Sequence, residues 1–272
     1  MKLTLWGTRG SLACSGPETV RYGGNTACVE ITGSGRRLIL DAGTGIRKLG
    51  LTGDEERFDI LLTHLHMDHI QGLPFFAPLL RPDREVHIWG PISTASSLRA
   101  RLGRYLSPPL FPVRIRELSN VYFHDVPPSV VEIGPFQVRA DLIIHPGATL
   151  GYRVSSNGAS IAYLPDHEPA LADGSLPDDP EWISGFDLID EATVLVHDSQ
   201  YDDAEYRDRV GWGHSSSSHL ASLAEMANVH KLVPFHHDPG HDDGVLDEMA
   251  AGLAAATTAE VVPGQEGAVI EV

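Results

Sequence analysis

The stretch that decides the reading is Phe58-Asp59-Ile60-Leu61-Leu62 followed by Thr63-His64-Leu65-His66-Met67-Asp68-His69-Ile70-Gln71-Gly72. An apolar run of this length predicts a buried strand that ends at Thr63. The strand then releases His64, His66, Asp68 and His69 into a tight loop. Alternate residues of an extended segment point the same way, so His64 and His66 can grip one metal ion together. The next turn can aim Asp68 and His69 at a second site beside it. Imidazole and carboxylate suit zinc and similar divalent ions. The chain has 14 histidines, and most histidines are ordinary surface or core residues. Four donors at this spacing behind an apolar strand are a stronger signal than a lone one. The motif makes half of a dinuclear site, so the other half must come from elsewhere in the chain.

Three further donors also close apolar runs. His145 follows Leu142-Ile143-Ile144, Asp166 follows Ala162-Tyr163-Leu164-Pro165, and His236 follows Leu232-Val233-Pro234-Phe235. Side chains at separate strand ends can converge on one sheet edge. With the first motif they complete a set of seven. Near the last of them, His237 and His241 compete with His236, which is preferred for its place at the strand end.

The rest of the chain reads as α/β. Strand patterns cover Leu3 to Trp6, Ala27 to Ile31, Leu38 to Asp41, Phe58 to Leu62 and Glu85 to Trp89. They resume over Val121 to Phe123, Val130 to Ile133, Phe136 to Ile144, Leu150 to Ser155 and Ser160 to Leu164. A helix is expected over Thr94 to Leu102. Leu220, Leu223, Ala224 and Ala227 fall at helical spacing, as do Leu246, Met249, Ala250 and Leu253. Strands and helices in two halves predict two sheets packed face to face with helices outside. No linker or repeat divides the chain, so residues 1–272 are expected to form a single domain.

Composition narrows the partners. The hydrophobic content is 42% and the charged content 21%, ordinary for a globular protein. No apolar stretch reaches the length of a bilayer span, and the N-terminus lacks a signal-peptide pattern, so no membrane is expected. Two unpaired cysteines, Cys14 and Cys28, fit a reducing cytoplasmic setting. A net charge of −17 disfavours a long nucleic acid, since each phosphate contact needs a cation. It does not disfavour a small anion, because bound metals would reverse the local field.

The motifs resemble those of the metallo-β-lactamase superfamily. His64-Leu65-His66-Met67-Asp68-His69 matches its His-x-His-x-Asp-His signature. Asp41-Ala42-Gly43 is similar to the step that supports the metal loop from behind. Within the superfamily the chain looks closest to the phosphodiesterase branch that includes ribonuclease Z. His145 with Gly151-Tyr152-Arg153, Val196-His197-Asp198-Ser199-Gln200-Tyr201 and Gly213-His214-Ser215-Ser216 resemble three of that branch's segments. Ser216 departs from the usual Thr. Gly7-Thr8-Arg9-Gly10-Ser11 and Arg21-Tyr22-Gly23-Gly24-Asn25-Thr26 are similar to a bacterial subgroup of it.

The resemblance implies an αββα sandwich and two metal ions. One would take His64, His66 and His145. The other would take Asp68, His69 and His236, with Asp166 bridging. Zinc is the default, with manganese or iron as alternatives. A hydroxide bridging two such ions would attack phosphorus. His214, oriented by Asp198, would protonate the leaving alkoxide. Asp68, His214 and Asp198 are therefore the expected catalytic residues.

The leading function is a metal-dependent phosphodiesterase acting on small diesters such as cyclic nucleotides. A tRNA 3′-end endonuclease is the first rival, but no basic arm is seen to hold tRNA. A lactonase or phosphotriesterase-type ester hydrolase is the second. Tyr105-Leu106-Ser107-Pro108-Pro109-Leu110-Phe111-Pro112-Val113, flanked by Arg101, Arg104, Arg114 and Arg116, reads equally as a lid and as a loop packed on the body or on a homodimer partner. Asn25 reads as a turn residue beside Gly23-Gly24, with a reach to the metal-bound substrate as the alternative, and Arg153 as a phosphate contact or a structural ion pair.

Overall fold

In the computed structural model, which describes residues 1–52, 55–169 and 173–272, two seven-stranded sheets lie face to face. The first comprises β1 (Lys2–Gly7), β2 (Cys28–Gly33), β3 (Arg36–Leu40), β4 (Arg57–Leu61), β5 (Glu85–Pro91), β6 (Val121–Val126) and β14 (Val269–Glu271). Their order is β14-β1-β2-β3-β4-β5-β6. The second comprises β7 (Ser129–Ile133), β8 (Phe136–Leu142), β9 (Leu150–Ser156), β10 (Ala159–Leu164), β11 (Val194–Asp198), β12 (Lys231–Phe235) and β13 (Glu260–Val261). Their order is β13-β12-β11-β10-β9-β8-β7. Each sheet begins with antiparallel pairs, then turns parallel from β3 to β6 and from β10 to β13.

The helices are α1 (Ile46–Leu49), α2 (Met67–Ile70), α3 (Leu98–Leu102), α4 (Phe186–Ile189), α5 (Asp203–Arg207), α6 (Ser217–Met226) and α7 (Asp243–Ala256). Three apolar layers follow from the strand pattern. Leu3, Leu5, Leu38, Leu40, Tyr152 and Val196 belong to the layer between the sheets. Ile39, Ile60 and Ile88 pack with Ile46, Leu73 and Leu98 on one outer side, and Leu195 and Leu232 with Leu220 and Leu223 on the other. Strand residues therefore alternate between the central layer and a helical layer, as their period of two requires. The expected sandwich with helices outside is the one formed.

Three differences from the sequence reading bear on the site and its surroundings. The helix expected from Thr94 starts at Leu98, because the Ser97 hydroxyl accepts from the Ala100 amide and caps it there. β8 stops at Leu142 rather than Ile144. The Ile144 amide donates to Ser184 Oγ, and Ile144 is half exposed. Asp68 and His69 lie in α2 rather than in a loop, with His66 at its N-cap. No helix among the described residues is long and apolar enough to cross a membrane.

Candidate metal centre

The parallel strands β4, β10, β11 and β12 deliver their C-terminal ends to one edge of the sandwich. At the end of β11 stands Asp198, and beyond the ends of the other three stand His64, Asp166 and His236. Two bonds tie the sheets together there: the Leu150 amide donates to Thr63 O (2.9 Å) and the Tyr152 hydroxyl to Leu62 O (2.7 Å). Asp41 and His236 both adopt positive φ, 60° each, where the chain turns sharply off its strand. Such conformations cost free energy in non-glycine residues and persist where the surroundings hold them.

All seven sequence-predicted donors meet at this edge. Donor atoms of His64, His66 and His145 lie within 4.8 Å of one another, and so do those of Asp68, His69, Asp166 and His236. Asp166 touches both groups. Its Oδ2 lies 2.9 Å from His69 Nε2, and its Oδ1 lies 3.3 Å from His236 Nε2 and 3.6 Å from His145 Nε2. His237 and His241 turn elsewhere. His237 Nε2 donates to Gly264 O (2.9 Å), and His241 Nε2 contacts the Glu205 carboxylate.

Hydrogen-bond accounting shows why this cluster fits cations. Four rings commit Nδ1–H to a partner behind them. His69 donates to Asp41 (2.8 Å), His145 to Gly213 O (2.7 Å) and His236 to Gln200 Oε1 (2.9 Å). His64 donates to Thr63 Oγ1 (3.0 Å), whose own proton goes to Asp41. In a neutral ring the opposite nitrogen, Nε2, then carries a lone pair. His69 Nε2 and His236 Nε2 face each other at 3.3 Å, with Asp68 Oδ2 3.1 Å from the latter. His64 Nε2 is buried with no hydrogen bond. Imidazole nitrogens and carboxylate oxygens aimed at common points suit divalent cations, zinc among them.

The charge balance differs between the two halves. Burial pushes His64, His66 and His145 below the usual imidazole range, which favours the neutral form that coordinates metal. Burial opposes charge on His69 too, but Asp166, Asp68 and Asp41 outweigh it and raise that ring well above its usual range. Burial likewise works against ionised Asp166, and His236, His69 and His64 overcome it, holding the carboxyl low.

His214 stands at the rim of the same cluster. Its ring stacks on His236 at 5.0 Å and meets His145 edge-on at 5.1 Å. Asp198 Oδ2 lies 2.6 Å from its Nδ1. Asp198 is itself fixed by the Gln200 and Ser215 amides (3.0 and 3.1 Å). Burial disfavours the imidazolium, but the Asp198 charge and hydrogen bond prevail, and the pKa is pushed up to about 9.

Other residues in this network were assigned no role by the sequence, although Gln200 and Ser11 lie in segments that carry the family resemblance. Gln200 orients His236, and the Ser11 amide donates to Asp68 Oδ2 (2.7 Å). Buried Glu168 accepts from the Tyr206 hydroxyl and the Gly211 and Gly213 amides (2.6–2.7 Å), which fixes the turn leading into His214. Arg153 departs from its expected ion pair, and Asn25 has a carboxylate partner. Arg153 donates to the carbonyls of Leu188 and Asp190, so it serves neither a phosphate nor a carboxylate there. Asn25 Nδ2 binds the Glu266 carboxylate (2.8 Å).

Comparison with known proteins matches residues 36–237 to the family described as the Beta-lactamase superfamily domain. Among curated proteins the chain is similar to ribonuclease Z of Haloarcula marismortui, at 23% identity over 98% of this chain and 95% of that one. Among solved structures it is similar to the metallo-β-lactamase fold protein YhfI from Bacillus subtilis. There the identity is 19% and the TM-score 0.74, over 100% of this chain and 98% of the other. A diphosphatase from the PhnP family aligns with TM-score 0.71 and 20% identity, over 100% and 97% of the two chains.

Proposed function

The chain belongs to the β-lactamase superfamily, and from that footing we propose that this metal-dependent hydrolase is a phosphodiesterase of small diesters, cyclic nucleotides foremost. The observation that carries the reading is the placement of the His214–Asp198 pair beside two donor groups that share Asp166. We assign His64, His66 and His145 to one ion and Asp68, His69 and His236 to the other, with Asp166 between. Residues 1–272 act as one domain in this reading.

Zinc ions held there would supply Lewis acidity toward phosphate oxygens and ionise water at neutral pH. The chain's own part is positioning and proton transfer. Asp41, Thr63, Gly213 and Gln200 fix four rings from behind, so their facing nitrogens need no reorganisation. Asp198 keeps His214 protonated and aimed into the cluster. His214 then gives its proton to the departing alkoxide, which a diester needs more than an ester with an acidic alcohol. A singly charged diester fits two cationic positions beside an imidazolium.

The similarity to ribonuclease Z favours a second reading, tRNA 3′ processing. A tRNA needs a track of cations, and a net charge of −17 opposes one. Catalytic efficiencies on a cyclic nucleotide, its monoester product and a precursor tRNA decide between them. We expect the cyclic nucleotide to be preferred to both. Efficient 3′ cleavage of the precursor tRNA would establish the second reading instead.

A further inference from the structure

A pocket of about 640 Å³ adjoins the metal loop and has no part in the chemistry above. Leu65 and Met67, the chain neighbours of His66, contribute to its lining together with Ile70. Tyr105 and Leu110 contribute from the proline-containing segment that follows α3. The alternation that turns His64 and His66 toward the donor cluster turns Leu65 away from it, so an apolar surface forms directly beside an exposed candidate ligand.

The pocket is preformed. The Tyr105 hydroxyl donates to Gln71 O (2.9 Å), Leu106 is buried, and Phe111 meets Phe75 edge-on. These contacts hold the segment on the body of the protein, although Leu110 leaves 68% of its surface exposed and Met67 50%. Large apolar side chains left in water around a concave surface are a feature of ligand sites. The volume suits a ring system rather than a macromolecular segment.

Two arginines line this pocket, and they differ. Arg101 is engaged by the Pro91 carbonyl and by Asp125. Arg104 is exposed, and no hydrogen bond or ion pair of its guanidinium occurs among the described residues. Its guanidinium is therefore open to a ligand in the pocket it lines. Planar guanidinium, phenol ring and thioether all favour contact with an aromatic ring over an alkyl group of the same size.

We infer that this pocket is the subsite for the ester arm that stays on phosphorus, and that it selects an aryl or nucleobase ring held against Tyr105, Met67 and Leu110 with the Arg104 guanidinium on its open side. The inference rests on the phosphodiesterase reading, since it places the scissile phosphate at the neighbouring metal cluster. Arg104 and Leu110 are specificity residues in this assignment.

Phenyl p-nitrophenyl phosphate and methyl p-nitrophenyl phosphate test it. The two share charge and leaving group and differ in the retained arm. Their ratio of kcat/KM in each variant, relative to the parent, cancels their intrinsic difference in reactivity. The phenyl-to-methyl ratio is expected to fall about tenfold in Leu110→Asp, the scale on which enzymes discriminate by an apolar contact. It should fall several-fold in Arg104→Ala, through KM for the phenyl ester. Inhibition constants of phenyl phosphate and methyl phosphate should shift in the same sense. Turnover of both diesters with one ratio in all three proteins would remove the subsite and leave the phosphodiesterase reading standing. Turnover of neither diester by the metal-loaded parent would remove both. A parent dimer that dissociates on Leu110→Asp would put a second copy of the chain over the pocket and overturn the assignment.

Discussion

At the scale of single residues, the site separates groups that face the cations from groups that face the rings. Gln200 belongs to the second kind, and its contribution can be measured alone. Its Oε1 accepts the Nδ1 proton of His236 at 2.9 Å. Gln200→Leu removes that acceptor and frees the ring to change tautomer. Loss of such an orienting partner commonly costs 10–100-fold in metal affinity. We therefore expect competition titrations to show one of two ions weakened by roughly that factor, with the other nearly unchanged. His214 is predicted to behave in the opposite way. His214→Ala should keep both ions while turnover of an alkyl diester falls by about 10²–10⁴, the range for a lost general acid. With a p-nitrophenolate leaving group, which departs without a proton, the same variant should lose far less. Equal losses on both esters would show that His214 does something other than donate that proton.

At the scale of elements, strand ends make the site and the loops beyond them must approach it closely. Gly10, just past β1, shows how little room there is: a Cβ there would sit 2.3 Å from His236 Nδ1. Gly10→Ala must displace either the loop or the ring. The Ser11 amide that holds Asp68 lies in the same loop, so we expect the ion assigned to Asp68, His69 and His236 to be lost first. Elemental analysis should find metal content falling toward one equivalent, against two in the parent. The seven donors were legible because each follows an apolar run, and a strand end is a place sequence can mark. β11 carries no strand signature in the sequence, although every residue from Val194 to Asp198 is buried. Its short apolar run ends in His197 and Asp198, so no periodicity separates it from a helix. β13 and β14, two and three residues long, are too short for any pattern. The contacts of Gln200 and Gly10, which lie in segments that carry the resemblance, and of Glu168 could not be found in advance for a different reason. The partners of Gln200, Glu168 and Gly10 lie 36, 38 to 45 and more than 200 residues away, and local sequence carries no trace of such pairings.

At the scale of the whole molecule, stability and metal content should be coupled through buried histidines that respond to pH in opposite directions. Burial holds His237 down to about 3, and it also lowers His167 and His197. A ring that is neutral when folded and titrates near 6.5 when unfolded contributes stability above pH 6.5. That stability is lost as pH falls through the window toward 3, because the unfolded chain takes up the proton first. His214 has the reverse sign. Its folded pKa of about 9 gives stability that is complete below 6.5 and drains away between 6.5 and 9. The metal-free protein should therefore show a melting temperature that falls on both sides of a maximum near pH 6.5. Metal ions bind neutral rings, compete with protons for His69 and stabilise only the folded chain, by an amount that grows with the ratio of free ion to Kd. Loaded protein should melt higher at every pH above about 6, and the gain should shrink on acidification as protons displace the ions. His214→Ala in the metal-free state should make the alkaline limb shallower, leaving the part that the raised His69 sets, and should leave the acid limb in place. An alkaline limb of unchanged slope in that variant would mean that the Asp198–His214 pair does not set it. Thermal melts from pH 4 to 10, with and without metal, supply the whole comparison.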